Sequence, residues 1–120
     1  MSVETDFRAT LAAHAPLVAL VDDRIALNAV PEGQAAPLVV FACRHDRTLG
    51  LDNSLLADQC ALDVQCWGTT AAQAALVADA VVDAVATAAA DAGACVLTRA
   101  TTHDPDLGLD GEILTVEWWA

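Results

Sequence analysis

The sequence predicts an α+β fold: a mainly antiparallel β-sheet packed against one long helix and an N-terminal helix. Three observations predict it. A long run after Gly68 places apolar residues at helical spacing. Several shorter runs are β-rich or alternate with a period of two. Three of those strands precede the only long helix and two follow it, an order that fits a segregated sheet better than alternating parallel units. With 120 residues, the chain has the size of one domain and is expected to form one over 1–120.

Taken in order, Val3, Phe7 and Leu11 recur every four residues behind Ser2, a good N-cap, with Glu4 and Asp6 in the first turn, where the helix dipole favours them. A helix is expected over 3–14. Pro16 starts a second, short helical segment through Leu17, Leu20 and Val21, stopping at Asp22 and Asp23. Residues 24–27 read as a short strand and 31–34 as a turn. Residues 37–44 form a strand buried on both faces in its first half. The polar stretch 45–58, with Gly50, Asn53 and Ser54, reads as a loop. Residues 59–67 then alternate, with Cys60, Leu62, Val64 and Cys66 on one face and Ala61, Asp63, Gln65 and Trp67 on the other. These two strands are expected to make a long hairpin with a mobile tip.

Thr69 or Thr70 caps the long helix, and Gly93 ends it. Ala71, Ala74, Ala75, Ala78, Val81, Val82, Val85 and Ala89 make its apolar face, and Gln73, Asp79 and Asp83 mark the wet one. Residues 95–102 read as a strand, 103–111 as a turn-rich loop, and 112–119 as the closing strand.

Composition narrows the function. Hydrophobic residues make up 56%, but many are alanine and aromatics are only 4%, so the core has modest apolar area and gains from burial against partner subunits. Five arginines and no lysine face seventeen carboxylates, a net charge of -12. Nucleic-acid binding needs clustered cations to displace counterions, so tight or sequence-specific binding is excluded as the main activity. The charge itself serves solubility or a functional surface. The N-terminus lacks the pattern of a secretory signal, and Asp residues interrupt the apolar runs, so synthesis in the cytoplasm and no membrane span are expected.

Enzyme signatures are missing. Without lysine there is no phosphate-binding loop and no Schiff-base chemistry, and Ser2 and Ser54 lie outside any nucleophile elbow. Cys43, Cys60, Cys66 and Cys95 form no CxxC pair and sit in apolar runs, so reduced, buried thiols are expected. Cys60 and Cys66 share a face but stand roughly 20 Å apart along a strand, too far to hold one ion. His14 and His45 fall at element ends, where capping and solvation are the ordinary roles. Asp104, Asp106 and Asp110 resemble a calcium loop only in part, because a strand follows Gly111 where a helix with a bidentate Glu is needed. No catalytic residue, metal or cofactor is expected. The remote alternative is a small Cys/His-dependent enzyme or metal-binding protein. Trp118 and Trp119 point to opposite faces of one strand, so at most one enters the core; the other meets a neighbouring subunit or is covered by a helix.

Read along its length, the chain resembles the tail-completion or tail-terminator proteins of long-tailed phages and of phage-derived particles such as gene transfer agents. The residues that carry this are Asp23-Arg24-Ile25, the strand opened by Pro37-Leu38-Val39-Val40-Phe41, and Leu62-Asp63-Val64-Gln65-Cys66-Trp67 followed at once by an alanine-rich helix. Asp104-Pro105-Asp106-Leu107-Gly108-Leu109 before the closing strand completes the pattern. The resemblance implies a structural virion subunit, commonly a hexameric ring, at the head-proximal end of the tail. There it stops polymerisation of the tube and provides the surface for head-tail joining. Its implied partners are further copies of itself, the major tail tube protein and head-tail connector proteins, with DNA passing through the ring. A capsid-side connector is the alternative. On this reading Leu49, Leu51, Leu55, Leu56, Trp118 and Trp119 are candidates for the subunit or tube interface. Asp46, Asp52, Asp58 and Asp63 are candidates for an acidic lumen, or else they face solvent outside the ring.

Overall fold

A computed structural model of the chain describes residues 3–27, 36–49, 55–92, 94–106 and 108–119; for residues 3, 44–49, 55–60, 89–92 and 119 the description covers the backbone alone. The elements are α1 (Val3–Ala12), α2 (Ala15–Val21), β1 (Ile25–Leu27), β2 (Leu38–Leu49), β3 (Leu55–Gly68), α3 (Ala71–Ala92), β4 (Ala94–Asp104) and β5 (Leu109–Trp119). Five strands form one sheet in the order β1-β2-β3-β5-β4. Only the β1–β2 pair is parallel, so the sheet is mainly antiparallel and the fold is α+β, as the element order implies.

The three helices cover one face of the sheet. Alternation sends Val39 and Phe41 of β2, Leu62, Val64 and Cys66 of β3, and Leu114, Val116 and Trp118 of β5 to that side. They meet Phe7 and Leu11 of α1, Leu17 and Val21 of α2, and Val77, Ala78, Val81 and Val85 of α3. Phe7 stands at the centre, edge-to-face with Phe41 at 5.2 Å and with Trp118 at 5.5 Å between ring centroids. The helix stripe differs from the expected face: Ala71 is exposed, whereas Val77, Ala80 and Ala84 are buried. Small residues on α3 let it lie close to the sheet. The first eighteen residues of α3 are long and apolar enough to cross a membrane by composition, but one side of the helix is packed on the strands.

No helix covers the opposite face among the described residues. There Leu38, Val40 and Trp67 make a small second cluster with Ala26, Ala36 and Leu109 at one end. Trp67 lies flat over Gly111, its partner on β5; a Cβ at 111 would stand 2.6 Å from the indole, so only glycine fits. Gly68 is fixed similarly, since a Cβ there would meet the Ala74 nitrogen at 2.7 Å. The turn into α3 is capped at Thr70, whose Oγ1 accepts from the Gln73 N–H at 3.1 Å while Gln73 Oε1 accepts from the Thr69 N–H at 2.8 Å.

Several expectations need correction. Most of the stretch 45–58 is strand where a loop is expected: β2 runs to Leu49 and β3 starts at Leu55, with His45 opposite Cys60 and Arg47 opposite Asp58, while 50–54 lie outside the described residues. A ladder satisfies backbone groups whatever its side chains, so polar residues continue the hairpin where hydrophobic alternation gives no signal. The loop 103–111 is likewise shorter, because β4 continues to Asp104 and β5 begins at Leu109. The first helix ends at Ala12, with His14 already outside it. Among the described side chains, only Cys66 is a reduced, buried thiol. Cys95 is free but exposed, and Cys43 is disulfide-bonded, its partner sulfur lying outside the described side chains.

Candidate functional site

The candidate interface and lumen residues fall into two groups. The side chains of Leu49, Leu55, Leu56, Asp46, Asp58 and Trp119, and the whole of Leu51 and Asp52, lie outside the described residues. Trp118 and Asp63 lie within them. Trp118 is 4% exposed against Phe7 and is therefore spent inside the chain, which removes it from the candidate interface. Its burial follows from strand parity, since Leu114, Val116 and Trp118 all point to the helix side.

Asp63 projects from the uncovered face of the sheet. Its neighbours on that face are Ala61 and Gln65 on β3, Ala42 on β2, and Ile113, Thr115 and Glu117 on β5, with Ala42 and Thr115 directly opposite Asp63, and Arg44 and Glu117 at the register positions opposite Ala61. This broad, lightly apolar surface carries two carboxylates on adjacent strands. Sequence alternation places Asp63 and Trp67 on this side; the face of Glu117 is defined only once β5 pairs with β3.

On the helix side, Arg99 of β4 joins three elements. Its Nη1 donates to Asp79 Oδ1 of α3 at 2.7 Å, Nη2 to Glu112 Oε2 of β5 at 3.0 Å, and Nε to the other Glu112 oxygen. Glu112 is 6% exposed, the only charged side chain buried among the described residues. These hydrogen bonds hold the Arg99 guanidinium firmly protonated. Burial, reinforced by the Glu112 charge, pushes the neighbouring Cys66 thiol up to about 12, so it is no nucleophile at neutral pH. The arrangement is a clamp between helix and sheet.

Among the described side chains, the remaining titratable residues do not converge. His103 Nδ1 lies 2.9 Å from Asp110 Oδ1 at the exposed end of the β4–β5 hairpin. Asp104 Oδ1 accepts from the Asp106 N–H at 3.0 Å, and Gly108 has φ of 66°, so the aspartates that resemble a calcium loop build a turn. His14 occupies the N-cap position of α2 without a capping hydrogen bond, and its Nε2 is buried without a partner. Among the described residues no three His, Cys, Asp or Glu side chains gather as ion ligands.

A sheet with helices on one face, and among the described residues no cover on the face bearing Asp63 and Glu117 and no further strand on either edge, has the character of an assembly subunit. The chain belongs to the family described as tail completion protein gp17, whose model matches residues 5–120. It is thus a structural protein of a phage-type tail. Among solved structures it is similar to a chain in the virion of a native gene transfer agent particle, with 18% identity, a TM-score of 0.74, and coverage of 98% of this chain and 93% of that one. At that identity the likeness shows the shared fold. No curated protein sequence matches the chain.

Proposed function

We propose that this chain is the tail terminator of its particle, with residues 1–120 acting as one terminator domain. Several copies, six by the family resemblance, form a ring on the last ring of the tail tube at its head-proximal end. The ring stops tube polymerisation and offers the surface on which head-tail connector proteins join. The role is structural, with neither catalysis nor a cofactor. Membership of the tail-completion family over 5–120 carries this reading.

The uncovered sheet face bearing Asp63 and Glu117 supplies the DNA-facing wall in this reading, since like charge lets the genome pass without being held. Asp79 and Asp83 on α3 belong to the opposite, helix-covered side. The hairpin of β2 and β3 extends the sheet along the tube, and its leucines 49, 51, 55 and 56 are offered as the contact with a neighbouring subunit or the tube. The test is native mass spectrometry of the purified chain, alone and mixed with the major tail tube protein or with the portal complex. A ring that forms on the tube protein is expected. Binding to the portal complex alone would favour a capsid-side connector, and a two-fold dimer under all conditions would exclude the ring.

A further inference from the structure

We infer that neighbouring subunits join edge to edge, with Leu27 of one copy seated in a cleft between α3 and β4 of the next. The inference rests on the ring reading and names its contact. β1 and β4 are the two ends of the sheet, and among the described residues neither outer edge is paired with another strand. Leu27 ends β1 and is 45% exposed. It shares strand parity with Ile25, which is buried under the helices, so Leu27 stands on the helix-bearing side. At the far edge, a cleft of about 320 Å³ is lined by Val82, Val85, Ala86, Ala94, Cys95 and Val96. Val85, Ala94 and Val96 also belong to or pack on the helix-side core, so this cleft opens on the same side.

A projecting leucine at one edge and an apolar cleft at the other, on one side of the sheet, make a heterologous contact. Repeated copies then generate a closed ring whenever the rotation closes. The occupant is a second copy because the same chain carries both halves. Charge agrees: every residue lining the cleft is uncharged, and residues 92–103 contain no Asp or Glu in a chain of net charge -12. Like-charged copies approach with least repulsion along such a stretch. Asp22 and Asp23 near β1 and Asp83 beside Val82 remain at the rims, so salt promotes the contact.

The test is a double variant, L27C with A86C, made in a Cys95→Ser background to remove the exposed free thiol. It is oxidised at high salt, alone and with the major tail tube protein. A ladder of covalent oligomers up to the ring number, with 27–86 linkages mapped by mass spectrometry, is expected. Leu27→Asp should raise the concentration needed for half-assembly by about tenfold or more, the effect of losing one central apolar anchor. Because Leu27 is half exposed, the melting temperature of the monomer should stay unchanged. Rings that assemble without 27–86 linkage would overturn this contact and leave the ring intact. Covalent dimers linked 27–27 or 86–86 would replace it with a two-fold contact. Failure of the unaltered chain to assemble under any of these conditions would overturn both contact and ring.

Discussion

Glu112 is the residue with most at stake in the core. It occupies the inward register of β5 with Leu114, Val116 and Trp118, and Arg99 satisfies both of its oxygens. Arg99→Ala leaves a buried carboxylate unpaired and should destabilise the chain by about 2 kcal/mol, below the usual cost of breaking a fully buried pair because the arginine is one-third exposed. Chemical denaturation reads this directly. Cys66 adds a pH dependence: its thiol is raised from 9.0 to about 12 by burial, so the unfolded chain ionises first. Its contribution is whole below pH 9 and is lost as pH rises towards 12, with a slope of about 1.4 kcal/mol per pH unit. Cys66→Ala should flatten the stability profile in that window. A thiol reagent at neutral pH should label Cys95 in the native protein and reach Cys66 only on unfolding. The clamp had one legible sign in the sequence: Glu112 falls on the apolar parity of the last strand, and a carboxylate there demands a cation. Which arginine answers it depends on the pairing of β4 with β5, which sequence periodicity does not encode.

At the scale of elements, local signals worked where one side of an element is buried. Phe7 and Leu11, the Leu62-Val64-Cys66 alternation and the Thr70 cap all mark their elements because burial and capping impose periodicity and residue type. They failed for 45–49 and 55–58, where the strands extend on backbone pairing with no apolar rhythm. They also failed for the buried stripe of α3, because alanine serves both faces of that helix equally well. Thr70→Ala should cost about 1 kcal/mol through loss of the cap, measured by thermal unfolding. Gly111→Ala should cost about 1–3 kcal/mol, because the added methyl group forces Trp67 off its partner strand. A shift in tryptophan fluorescence should accompany it.

For the whole molecule, the net charge of -12 bears on the proposed ring: each added copy brings like charge, so on that reading low salt should hold the protein as separate subunits and salt should draw the ring together. Replacing Asp63 and Glu117 with Arg should leave circular dichroism unchanged but make particles retain DNA in a salt-dependent way; normal ejection would return the acidic face to a role in solubility. The family was legible from the order of motifs along the chain, since each lies in an element that the fold sets in place. Ring placement was not, because it depends on surfaces that only a partner defines. The most direct measurement is the length distribution of tails, by electron microscopy, in particles lacking this gene and in particles with it restored. Termination predicts tubes of uncontrolled length without joined heads, corrected by restoring the gene. Tails of normal length joined to heads in its absence would contradict it.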